Sequence, residues 1–195
     1  MAVADPAHGP TGEGHAFSDG PIVAPVLPLM LIPRGGKAGR AVLSPDLWRV
    51  VAKRVRERAA SRCQACGVTM GSRGSRASER PEAHEGYHWI ESAPGFGIQE
   101  LVSIRLLCSL DHHVSHMDRT WRLARHDPSS DPAAIVSKCL DRLARMNGWS
   151  MQLTRQYGLQ ELRLQHLRSS RLWALNADYF RMEFGIPATS IGAVR

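Results

Sequence analysis

Between Cys108 and His116 the chain places one cysteine, one aspartate and three histidines within nine positions, in the run RLLCSLDHHVSH. Upstream, CQAC supplies Cys63 and Cys66, and EAHE at 82–85 supplies another histidine between carboxylates. Thiolates are the soft donors of structural zinc sites, and imidazoles serve both as metal ligands and as bases near neutral pH. A CxxC turn presents two sulfurs to one ion, and Cys108 would bring a third from a distant segment. Zinc bound this way would close a long loop and hold the glycine-rich 67–80 stretch against the rest of the chain. The fourth ligand is expected from the turn after Cys108. Asp111 leads for it, with His112 or His113 as substitutes.

These residues must be positioned by a chain of 195 residues, room for one domain with extensions. Its formal charge is +7 and its isoelectric point about 9.8. Nearly all of the cations are arginine, only Lys37, Lys53 and Lys138 being lysine, and arginine suits bidentate contact with phosphate. A polyanionic partner is therefore favoured. The cysteine spacing favours metal over disulfides, which fits a reducing, cytoplasmic location. The most apolar early segment, 21–33, is too short for a membrane span and is interrupted by Pro21, Pro25, Pro28 and Pro33. No charged region precedes it as in a secretory signal.

Residues 1–20 are rich in glycine, proline and alanine and are expected to be a disordered tail. Residues 21–43 read as an extended arm packed on the core, since proline suits extended backbone and not helix interiors. Ser44 followed by Pro45 is a helix start, and the apolar spacing through Val55 carries the helix to Cys63. A loop follows, then a strand over about 82–91. The run 98–108 fits strand or helix equally by periodicity. Residues 111–125 read as one helix with His112 and His116 on a shared face. A capped helix over 131–146 places Cys139 in the core. Residues 150–182 read as a further helix, with a break near Gly158, and 185–195 as a tail. Trp48, Trp121, Trp149 and Trp173 are expected to pack in the core, and Trp89 to cover the metal site.

The segments RCQACG, EAHE with Trp89, and LVSIRLLCSLDHHVSH together resemble the zinc-stabilised HNH endonucleases, whose core is a ββα-metal unit. The resemblance extends to LARMNGWS and the helix before it, and covers roughly residues 40–180. It implies an α+β, mostly helical fold: an HNH-like zinc domain at 44–127 and a C-terminal helical extension at 128–184. It also implies metal-dependent hydrolysis of DNA phosphodiester bonds. His84 would be the general base, His112 a ligand of a catalytic divalent cation such as Mg²⁺, and His116 a second ligand or a phosphate contact. Arg73, Arg76, Arg80, Arg105 and Arg119 would position the nucleic-acid backbone. Three positions depart from the family pattern. Ala83 stands where an aspartate or histidine often binds the metal, leaving Glu82 or Glu85 to replace it. Ser103 stands at the central asparagine, and Asp111 at a zinc cysteine. They define the alternative reading, a catalytically degenerate HNH-fold zinc module that binds nucleic acid or a protein partner.

Overall fold

A computed structural model of the chain describes residues 26–34, 36–71 and 80–192. The architecture is α+β, about half helical, with six α-helices and a three-stranded sheet among the described residues. The first helix, α1 (Pro45–Arg58), starts as its sequence predicts: the Ser44 hydroxyl accepts from the Leu47 amide and Pro45 takes the first turn. It stops short of Cys63. Ala60 and Ser61 adopt left-handed φ values of 48° and 53°, and the chain turns into a knuckle that carries the CxxC pair. The knuckle is built by main-chain bonds from Cys63 to Val68, Gly67 to Cys63 and Met70 to Ser61, with Gly67 at φ +74°.

Strands β1 (Pro81–Ala93) and β2 (Phe96–Cys108) form an antiparallel hairpin that pairs Pro81 with Cys108 at one end and Ala93 with Phe96 at the other. The ambiguous run 98–108 is thus strand. Two register shifts, between Gly86 and Tyr87 and between Glu91 and Ala93, bend the hairpin. The chain then enters α2 (Ser109–Ser115) and α3 (Met117–Arg125). These are two helices where the periodicity predicts one. The Ser115 carbonyl accepts from the Met30 amide of the N-terminal arm, which is the bond a continuous helix would have given to Arg119.

The C-terminal half departs further from a purely helical extension. Helix α4 (Pro132–Asn147) is capped by Asp131 and ends at Gly148 with φ 65°. Helix α5 (Met151–Arg168) runs unbroken through Gly158, which is buried beside Leu140 and Met117. The break expected there falls later. Residues Leu172–Asn176 form β3, parallel to β2 from Phe96↔Leu172 to Glu100↔Asn176, before α6 (Asp178–Phe184). Trp173 fits against Gly97, where an added Cβ would come within 2.3 Å of the indole.

The N-terminal arm is extended over 28–33 but closes a 3-10 turn at Gly39–Val42, where the sequence predicts extended backbone throughout. Leu27, Leu29 and Leu31 point inward, joining Val51, Val55, Leu106, Leu107, Val114, Leu143 and Phe180 in one core. Cys139 lies in that core. Of the tryptophans, Trp173 is buried, Trp48 and Trp149 are partly buried, and Trp121 is exposed beneath Arg125. The expected tail is held as far as residue 192: Ile186 is buried and the Gly192 amide bonds the Val42 carbonyl. Residues 1–25 lie outside the described residues. Among the described residues, no helix is long and apolar enough to cross a membrane.

Candidate metal centres

Two clusters of side chains that could hold a metal meet at α2. In the first, Cys63, Cys66, Cys108 and Asp111 each bring a ligand atom within 4.8 Å of the others. The knuckle supplies the first two. It is seated on β2 by Gln64, whose amide donates to the Leu106 carbonyl and whose side-chain oxygen accepts from the Leu106 amide at 2.7 Å. Cys108 ends β2 and caps α2, its sulfur facing the Asp111 amide at 3.5 Å. Cys66 and Cys108 sulfurs are 3.9 Å apart, and the Cys63 sulfur is 3.2 Å from Asp111 Oδ2. His112 and His113, the substitutes for the fourth position, are not in this group.

The thiols share protons unevenly. Hydrogen bonding with Cys108 brings the Cys63 thiol down to about 6, while the same interaction and burial push Cys108 up. Burial also pushes the Cys66 thiol up. For Asp111, burial acts against ionisation, but the Arg142 guanidinium and the neighbouring thiols outweigh it and hold the carboxyl below its ordinary range. Arg142 Nε donates to Asp111 Oδ1 at 2.8 Å. The four donors are thus collected in one place, and the group could hold a metal ion.

In the second cluster, His84, His112 and His116 bring ring nitrogens within 4.8 Å of one another. Their ring centroids lie 4.9–5.4 Å apart. His84 comes from the first part of β1, opposite Arg105, and is only 3% exposed. Among the described residues neither of its ring nitrogens has a hydrogen-bond partner, an arrangement that costs free energy unless a ligand is present. Burial, followed by the other two imidazoles, drives its basicity well below the ordinary histidine range, so it is neutral.

His116 is aimed by the arm. Its Nδ1 lies 3.0 Å from the Met30 carbonyl, which can only accept, so the proton sits on Nδ1 and Nε2 keeps its lone pair. Burial lowers it to about 4. His112 Nδ1 is 2.9 Å from Glu82 Oε2, close enough for an ion pair though outside hydrogen-bond geometry. Pairing with His112 holds the Glu82 carboxyl at about 2, so it is charged. Glu82 therefore stands beside this cluster, while Glu85 accepts from the Arg40 amide. The cluster opens on a cleft of about 430 Å³ lined by Glu82, His112, His116, Arg119, Leu123 and Ile135. A smaller cleft on the other side is lined by Ala83, Glu85, Arg40, Arg119 and Arg122, again with His112 and His116.

Of the arginines expected to contact a backbone, Arg119 lines both clefts. Arg80 is exposed just before β1. Arg105 is occupied, its Nη2 donating to the Val26 and Gln64 carbonyls at 3.0 and 2.8 Å. Arg73 and Arg76 lie outside the described residues. Trp89 covers neither cluster: it packs on Trp173, at a ring distance of 4.9 Å, with Arg168 across its face. Ser103 faces Gly86 across the hairpin. Spacing alone did not reveal Arg142 or the Met30 carbonyl, because one lies 31 residues from its partner and the other is a main-chain group.

Comparisons of the chain with protein-family models, with curated proteins and with solved structures found no match.

Proposed function

We propose that the protein is an HNH-type, metal-dependent endonuclease that hydrolyses DNA phosphodiester bonds, with zinc as a structural ion in the thiol cluster. One observation carries the reading: three imidazoles converge beside an open cleft, one of them buried with both nitrogens unpartnered. The thiol cluster suits zinc, with three soft sulfurs and one oxygen. Three imidazole nitrogens suit Zn²⁺, Ni²⁺ or another transition ion better than Mg²⁺, which prefers oxygen.

A divalent cation in the histidine cluster would polarise a phosphoryl oxygen and stabilise the leaving oxyanion. The chain's own residues do the rest. The Met30 carbonyl fixes the ring of His116 through Nδ1, and Glu82 stands 2.9 Å from His112 Nδ1, so Nε2 of each ring would be the nitrogen offered to an ion. His84, neutral and unpartnered, is able to take a proton from an attacking water or to act as a third ligand. Arg119, on the rim of both clefts, is placed to hold a flanking phosphate. The hairpin followed by α2 would then be the ββα-metal unit.

The 3% exposure of His84 favours a second reading, since a general base must meet water. In it the fold is a catalytically degenerate zinc module that captures nucleic acid or a protein partner without cleaving. Incubating supercoiled plasmid with the protein and Mg²⁺, Mn²⁺, Ni²⁺ or Zn²⁺ separates the two. Nicking that disappears in His84→Ala and His112→Ala supports the nuclease. Salt-sensitive DNA binding with no cleavage in any metal supports the module, and cleavage that survives His112→Ala refutes the assigned site.

A further inference from the structure

A carboxylate in place of a fourth thiolate creates a problem that a thiolate does not have. Binding a metal through one oxygen leaves the second oxygen with unused lone pairs, and Asp111 is completely buried. The structure resolves it with a residue from another element. Asp111 Oδ2 faces Cys63, and Oδ1 accepts from Arg142 Nε at 2.8 Å, so the two oxygens are divided between cluster and guanidinium.

We propose that Arg142 is the positioning residue of the thiol cluster, holding Asp111 in its ligating orientation and making metal binding there depend on the docking of α4. The inference rests on the reading that the thiol cluster holds a metal. Three thiolates and a carboxylate around a divalent ion leave an excess of negative charge in a site of 0–3% exposure at Cys63, Cys108 and Asp111. Arg142 is the cation that offsets it, with a side chain only 20% exposed. The same helix reaches the second cluster by a different route. Asn147, at its C-terminal end, accepts from the Leu27 amide and donates to the Leu27 carbonyl, fixing the arm whose Met30 carbonyl orients His116. Because linkage is reciprocal, a metal bound more tightly when α4 is docked also tightens that docking.

The test titrates the full-length, metal-stripped protein with Co²⁺, reading the thiolate-to-cobalt absorption against a competing chelator. Arg142→Met is expected to weaken binding about 10- to 100-fold, the usual range for a group that orients a ligand. In an Asp111→Cys background no second oxygen needs a donor and only the charge effect remains, so the same substitution should cost several-fold less than in the wild-type background. A purely structural role for Arg142 would weaken both backgrounds alike, which would overturn the proposal, as would unchanged affinity in Arg142→Met. Should Arg142→Met fail to fold, the milder Arg142→Lys decides by the same comparison: a larger loss of Co²⁺ affinity in the wild-type background than in Asp111→Cys supports the proposal, and an equal loss in both overturns it. Absence of the cobalt absorption in the wild type would fell the metal reading of the cluster together with this inference, whereas absorption with Arg142 indifferent fells the inference alone.

Discussion

The two clusters share a helix of seven residues and differ in almost everything else. In the thiol cluster every donor faces another donor or a protein group, Asp111 is fully buried, and neither described cleft is lined by its residues. In the histidine cluster, two of three imidazoles line a cleft, and buried nitrogens are left without hydrogen-bond partners among the described residues. Closed, fully liganded sites hold a fold together, whereas sites with an open position do chemistry. Asp111 and His112 are adjacent in sequence, but successive helical residues project about 100° apart, so a single turn serves both clusters. The contrast teaches that, under the proposed reading, the roles of the clusters would be set by what surrounds each: the core and α4 for one, the arm and an open cleft for the other.

If that contrast holds, the largest effect belongs to the closed site. Cys63→Ser, or removal of metal with a strong chelator, should abolish the cooperative thermal transition, since structural zinc contributes on the order of 10 kcal/mol in small zinc domains. His112→Ala should leave that transition within a few degrees of wild type. Calorimetry on the three samples checks this, and comparable losses from both substitutions would erase the distinction. The next effect belongs to the open site. His84→Ala and His112→Ala should lower plasmid cleavage by about 10²- to 10⁴-fold with the fold retained. Far-ultraviolet dichroism alongside the cleavage assay would separate lost chemistry from lost structure.

A smaller effect distinguishes the clusters by pH when the thiol cluster is loaded and the histidine cluster carries no ion. His84 and His116 both have depressed basicity, His116 to about 4. Between that value and the unfolded histidine value near 6.5, the unfolded chain binds protons that the folded chain does not. Stability is therefore full above about 6.5 and falls as pH drops toward 4, by on the order of 2 kcal/mol for His116 after allowing for partial exposure. Glu82, held at about 2 by His112, extends the loss below pH 4.5 with the same sign. Urea unfolding from pH 7.5 to 4 measures the slope, which should flatten in His116→Gln.

Much of this site was legible in the sequence because metal donors are rare residue types at restrictive spacings. Cys63, Cys66, Cys108 and Asp111 could be grouped from CxxC and the CxxD-like offset, and the α1 cap could be read from Ser44 and Pro45. What escaped depends on partners remote in sequence. Nothing local marks Arg142 as a partner of Asp111, or Trp173 as the residue that fills the notch at Gly97. The segment after Arg168 carries apolar residues at helical spacing, yet it becomes β3 because pairing with β2 and burial of Trp173 outweigh its local preference. The division of 111–125 into two helices was likewise decided by an arm residue, Met30, roughly 85 positions away in the chain.

The smallest effect on either cluster should come from the far end of the sheet, where the β2–β3 joint is built around a missing side chain. A Cβ at Gly97 would lie 2.3 and 2.7 Å from two Trp173 ring atoms and 2.9 Å from the Ile90 carbonyl. The indole is buried, packed edge-on against Trp89, and its Nε1 donates to the Arg168 carbonyl, so it has little room to yield. Gly97→Ala should therefore force β3 away from β2 and cost about 1–3 kcal/mol, as overpacking does elsewhere. Neither cluster draws a ligand atom from β3 or from this end of the hairpin. Metal affinity at both sites should stay within about twofold of wild type, as expected for distant, independent positions. A melting temperature that falls while both metal titrations hold would confine the metal chemistry to the knuckle, α2 and the proximal hairpin. A parallel loss of metal would mean that the distal sheet also sets the clusters, and the contrast between them would have to be redrawn around the whole fold.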